Sequence, residues 1–197
     1  MTFYPFASAA VPTFTSKTGA YFQGTISVGT SATLGNNTLR VSPLVLSAAV
    51  TLQGIGAEFT AAGDAASLFQ LALYADDGTG YPGALVSAPG SISTGSGNAG
   101  TVATGGTPGV YLATGLAVTL PAGLYWAGGA VQGVTVSQPT LRTGLFVSWP
   151  VSTAAQPTAN QVLNAYTQGS VSAAPPNPFQ AFSTSTGVSA RIVFQLA

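Results

Sequence analysis

The sequence predicts an all-β protein, a sandwich or barrel of short strands. Three observations predict it. Apolar and polar residues alternate over many short runs, the two-residue period of a half-buried strand. Gly (25) and Pro (13) punctuate those runs at turn-forming positions. No long window places apolar residues at the i, i+3, i+4, i+7 spacing of an amphipathic helix.

The elements follow in chain order. Residues 1–37 are rich in Thr, Ser, Ala and Gly, and aromatics stud them at Phe3, Tyr4, Phe6, Phe14, Tyr21 and Phe22. They read as an extended N-terminal arm, and residues 38–197 as the sandwich. Val41–Ala57 is the most apolar window. Pro43, two Gly and several polar residues break it, and it is too short for a spanning helix, so it reads as strands. In Val50–Phe59, Ile55, Ala57 and Phe59 share a face opposite Glu58. Ala61–Leu73 is dense in Ala, yet Gly63 and the turn after it favour a strand there over a helix. In Leu68–Tyr74, Phe69, Leu71 and Leu73 point one way, and Gln70, Ala72 and Tyr74 the other.

Asp76-Asp77-Gly78-Thr79-Gly80 then forms a turn, closed by Pro82-Gly83. Residues 93–107 are a Gly/Ser/Thr loop of low complexity. Gly115–Leu120 and Gly123–Gln132 are strands joined by Pro121-Ala122; Leu124, Trp126 and Ala130 oppose Tyr125 and Val131. Residues 152–187, polar and carrying Pro157, Pro175, Pro176 and Pro178, read as a linker. In Ser189–Leu196, Ile192, Phe194 and Leu196 share a face opposite Arg191, Val193 and Gln195. The expected core is Ile55, Phe59, Leu71, Leu73, Leu116, Val118, Trp126, Ile192 and Phe194.

Composition narrows the function. The 197 residues carry eight charges: Lys17, Arg40, Arg142, Arg191, Glu58, Asp64, Asp76 and Asp77. That is 4% of the chain, against roughly 25% in an ordinary soluble domain. There is no His and no Cys, so a zinc finger, a thiol nucleophile and a Ser-His-Asp triad are excluded, as are disulfides. Four scattered cations make no basic patch, so neither nucleic acid nor an anionic membrane surface is an expected partner. Met1–Ala10 lacks the basic and apolar regions of a secretory signal; the chain is expected to stay inside the cell that makes it or to leave within a larger particle.

Few residues could carry chemistry. A glycosidase needs two carboxyl groups flanking a sugar bond. Asp76 and Asp77 are better explained as turn residues whose side chains accept backbone N–H groups. They are also the metal candidates, with the Thr79 carbonyl as a third oxygen for calcium, although the spacing matches no EF-hand loop. Tyr74, Tyr81, Tyr125 and Trp149, with Trp126, could form a sugar-stacking platform; packing in the core or an interface is the plainer use of such side chains. Gly95–Gly106 lacks the Gly-Lys-Ser/Thr of a phosphate loop, and Asn36-Asn37-Thr38 matches a glycosylation sequon. No cofactor is expected.

One resemblance is definite. It is carried by Leu71-Ala72-Leu73-Tyr74-Ala75-Asp76-Asp77-Gly78-Thr79-Gly80-Tyr81-Pro82-Gly83 and by Leu120-Pro121-Ala122-Gly123-Leu124-Tyr125-Trp126. Asn37-Thr38-Leu39-Arg40, Glu58-Phe59-Thr60 and Gln138-Pro139-Thr140-Leu141-Arg142 add to it. About half the chain resembles a β-sandwich module of tailed-bacteriophage structural proteins of the minor tail, tail fibre, head fibre or capsid-decoration type. The resemblance implies a jelly-roll-like β-sandwich that is not an enzyme and resides in the virion. The expected protein is a homo-oligomer, a trimer, whose arm anchors it to capsid or tail proteins while the sandwich faces outward toward the host. The alternative is a glycan-binding module recognising host surface polysaccharide.

Overall fold

A computed structural model describes residues 19–23, 27–87, 91–93, 108–145, 165–180, 183–185 and 189–197. Among them there is no helix. In chain order the strands are β1 (Tyr21–Gln23), β2 (Ser27–Thr33), β3 (Leu39–Leu46), β4 (Val50–Ala61) and β5 (Leu68–Asp76). Then come β6 (Pro82–Ser87), β7 (Ser91–Ser93), β8 (Gly109–Leu120), β9 (Gly123–Gln132) and β10 (Thr140–Leu145). Last are β11 (Ala165–Gln168), β12 (Ser183–Ser185), β13 (Ser189–Ala190) and β14 (Ile192–Leu196).

They form two antiparallel sheets. In sheet I, β4 pairs with β8 along one edge and with β14 and β10 along the other; β1 adds to β14, and β2 and β13 add to β10. In sheet II the order is β12-β11-β3-β9-β5-β6, and β7 also pairs with β5. The chain changes sheet at most connections. β3 lies in sheet II, β4 in sheet I and β5 in sheet II again; β8, β9 and β10 alternate likewise. Two packed antiparallel sheets are a β-sandwich, the predicted class.

The alternation read from the sequence is realised face by face. Between the sheets lies one core. Sheet I supplies Leu52, Ile55, Ala57, Phe59, Leu141, Ile192, Phe194 and Leu196, and sheet II supplies Leu44, Leu46, Phe69, Leu71, Leu73, Tyr125, Ala127 and Val131. Phe59 meets Phe69 edge-on across the gap, ring centroids 5.9 Å apart. The alternate residues of sheet II point away from this core and build a second one: Leu39, Val41, Ala72, Tyr74, Trp126 and Ala130, all buried. Glycines let β9 lie close to its neighbours. A Cβ on Gly128 would run into the Arg40 carbonyl oxygen of β3.

Three expectations change. Leu116 and Val118 pack against the core but are half-buried, because β8 bulges at Gly115 (φ +82°) and its register against β4 shifts opposite Leu52–Gly54. The sandwich starts before residue 38. β1 and β2 belong to sheet I, Phe22 stacks on Phe194 at 4.8 Å, and Leu34 is fully buried in the core. The third change concerns the supposed linker. Residues 165–180 of it are a built part of the fold: β11 and β12 extend sheet II beyond β3, and residues 169–180 lie as a strap across the outer face of that sheet.

Candidate functional site

Of the residues named from the sequence, Tyr74, Tyr81, Trp126 and Asp76 meet at the outer face of sheet II. Tyr74 and Trp126 are direct register partners on β5 and β9, and Asp76 ends β5. The Trp126 indole Nε1 donates to Asp76 Oδ1 at 3.1 Å, joining the β5–β6 turn to the centre of the sheet. Asp76 Oδ2 accepts from the backbone N–H groups of Gly78 (2.9 Å) and Gly80 (3.3 Å). Asp77 Oδ1 accepts from the Thr79 hydroxyl (2.6 Å), the Thr79 N–H (2.8 Å) and the Tyr81 N–H (3.4 Å). The Thr79 hydroxyl and these N–H groups hold the Asp77 carboxyl below the usual carboxylate range. The turn alternative therefore accounts for both aspartates. Among the described residues no group of three or more His, Cys, Asp or Glu could hold a metal ion.

The strap closes over this face. Tyr74 is fully buried; its hydroxyl donates to the Pro176 carbonyl at 2.9 Å, and burial pushes its ionisation up. Phe179 meets the Tyr74 ring edge-on at 5.2 Å. Tyr166 sits between Trp126 and Tyr81, at 5.0 Å from each ring. Gln132 donates its side-chain amide to two strap carbonyls, Val171 (2.7 Å) and Ala173 (2.8 Å). The Phe179 N–H donates to the Gly83 carbonyl, and the Asn177 side-chain oxygen accepts from the Leu85 N–H.

The sugar-stacking platform is corrected by this packing. Tyr74 and Trp126 have no exposed face. Tyr125 points into the inter-sheet core and donates its hydroxyl to the Pro121 carbonyl at 3.1 Å. Tyr81 is half-buried against Tyr166. Of the arm residues, Tyr21 is exposed and Phe22 is packed on Phe194. Trp149, Phe3, Tyr4, Phe6 and Phe14 lie outside the described residues, as does Lys17. The sequon amide of Asn36 is occupied as a donor to the Val134 carbonyl. Sequence reasoning missed Tyr166, Val171, Phe179 and Gln132 as partners of Tyr74 and Trp126. The signal for them was slight: aromatics on either side of a Pro-rich stretch.

Glu58 and Asp64 hold structure as well. Glu58 pairs with Arg191 (2.9 Å) and Arg142 (3.4 Å) across sheet I. Asp64 accepts from the backbone N–H groups of Thr135, Val136 and Ser137, which hold its carboxyl down at about 2. Glu58 and the three aspartates are all the carboxylate side chains in the chain, and each is engaged in these contacts. No protein-family model matches the chain, and no curated protein matches it.

Proposed function

We propose that the protein is a non-enzymatic structural component of a bacteriophage virion. In this reading it is a tail, fibre or capsid-decorating protein built on a jelly-roll-like sandwich. An N-terminal arm anchors it to capsid or tail proteins, and it assembles as a homo-oligomer with the sandwich toward the host surface. One observation carries the reading. The two sequence blocks behind the phage resemblance, some fifty residues apart, meet as one unit: Trp126 of the second donates to Asp76 of the first. That contact supports reading the two blocks as parts of one module. The charge pattern supports it, because the acids that a hydrolase would use are engaged in turns and ion pairs. A nearly neutral surface also suits close packing of many copies.

The test is physical. Mass spectrometry of gradient-purified virions from the phage that encodes the chain is expected to find it in stoichiometric amount, and antibody labelling in electron micrographs to place it on head or tail. Its absence from purified virions would overturn the reading.

A further inference from the structure

Asp77-Gly78 is the one place in the chain where Asp or Asn is followed by Gly. That pairing carries a chemistry of its own. A backbone nitrogen can attack the carboxyl carbon of the Asp before it and close a five-membered succinimide. A side chain on the attacking residue crowds its nitrogen, and Gly has none. Here nothing else shields it. Asp77, Gly78 and Thr79 are exposed, and even a Cβ built on Gly78 would meet no atom within 4 Å. Gly78 holds φ +92°, a conformation that other residues adopt only under strain. The other aspartates differ. Asp64 precedes Ala65, and Asp76 precedes Asp77, whose N–H is engaged by the Tyr81 carbonyl at 2.9 Å.

The turn between β5 and β6 nevertheless draws the two reacting groups away from each other. The Gly78 N–H donates backward to Asp76 Oδ2 at 2.9 Å. Asp76 is itself tied to the centre of sheet II, because its Oδ1 accepts from Trp126 Nε1. The Asp77 carboxyl is drawn forward, past Gly78. Its Oδ1 accepts from the Thr79 hydroxyl (2.6 Å), the Thr79 N–H (2.8 Å) and the Tyr81 N–H (3.4 Å). These donors, the Thr79 hydroxyl foremost, hold the carboxyl below its ordinary range and so keep it ionised at neutral pH. A carboxylate is a poor electrophile.

We propose that Asp77–Gly78 is a latent isomerisation site, closed in the folded chain by Asp76 and Thr79 and released when the β5–β6 turn opens. The reaction needs only water. The Gly78 nitrogen bonds to Asp77 Cγ and gives up its proton, and one carboxyl oxygen leaves as water. A second water then adds at the Asp77 backbone carbonyl carbon and breaks its bond to the Gly78 nitrogen. The chain now runs through the Asp77 side chain, as isoaspartate, with one methylene added to its backbone. That methylene falls between Asp76 and the Gly78 and Gly80 N–H groups its Oδ2 gathers, so conversion pulls apart the turn that anchors Trp126.

Ageing the full chain at neutral pH, folded and in guanidinium chloride, tests this. Electron-transfer fragmentation of peptic peptides tells isoaspartate from aspartate at each position. In denaturant, isoaspartate is expected at Asp77 well ahead of Asp64 and Asp76. In the folded chain it is expected to build up far more slowly, at the rate at which the turn opens. Thr79→Val, its fold checked by circular dichroism, removes one hydrogen bond to the carboxylate and is expected to speed the folded rate about tenfold. A denatured chain in which Asp77 converts no faster than Asp64 would overturn the site. Equal rates in folded and denatured wild type, a comparison that needs no variant, would overturn its closure by the turn. A folded Thr79→Val that ages like wild type would overturn the part given to Thr79.

Discussion

Asp64 is an exposed carboxylate, yet it organises a turn seventy residues away. Its oxygens gather the N–H groups of Thr135, Val136 and Ser137, and the Ser137 carbonyl accepts from the Asp64 N–H. The folded carboxyl titrates near 2, below its ordinary 3.8. A depressed acid contributes stability that is present above the unfolded value and is lost as pH falls through the folded one. Asp64→Asn is therefore expected to lower the melting temperature at pH 7. The gap from wild type should close as pH falls from 3.8 toward 2, which thermal unfolding across that range will show. Gly128 has a steric role. Any side chain there collides with the backbone of β3, so Gly128→Ala is expected to cost more than about 4 kcal/mol and to abolish soluble expression.

At the scale of the element, the strap is the decisive part. Tyr74→Phe removes one hydrogen bond to Pro176 and should cost about 0.5–1.5 kcal/mol in chemical denaturation. Phe179→Ala removes the ring packed on Tyr74 and should cost about 3–5 kcal/mol. In a Trp149→Phe background, where Trp126 is the sole indole, Phe179→Ala should also shift the emission to the red as water reaches Trp126. Much of the sandwich was legible because alternation is local. Phe69, Leu71 and Leu73 against Ala72 and Tyr74 could be read off one strand, and the structure puts them in two different cores. The strap was not legible. Its contacts join residues as far apart as Tyr74 and Pro176, and its Pro-rich, polar wording carries no period. Nor does alternation say which strand lies beside which, so the passage of β3, β4 and β5 between sheets had no signal. The Asp-Asp-Gly turn was legible because its bonds span at most four residues.

The whole molecule owes little to charge. Its one described cluster of ion pairs is Glu58 with Arg142 and Arg191, all partly exposed. Such pairs contribute about 1 kcal/mol or less. The melting temperature is therefore expected to move by no more than about 2–4 °C between low salt and 1 M sodium chloride, as differential scanning calorimetry can check. A larger drop would mean that charges outside this cluster matter. The same reliance on burial explains why two layers of core flank sheet II. With few polar pairs to draw on, the chain hides aromatic surface on both faces of β5 and β9.

The strap also sets an order on synthesis. β5 and β9 are made long before the residues that cover them, and more than fifty residues separate Trp126 from Phe179. At about 5–20 residues per second, the ribosome takes several seconds to travel that distance. For that interval the nascent chain carries Tyr74 and Trp126 without their lid. β14, which closes the other core against β4, comes later still. A protein whose later-made segments seal its earlier-made surfaces depends on the cell to keep neighbouring nascent chains apart until those later segments have emerged.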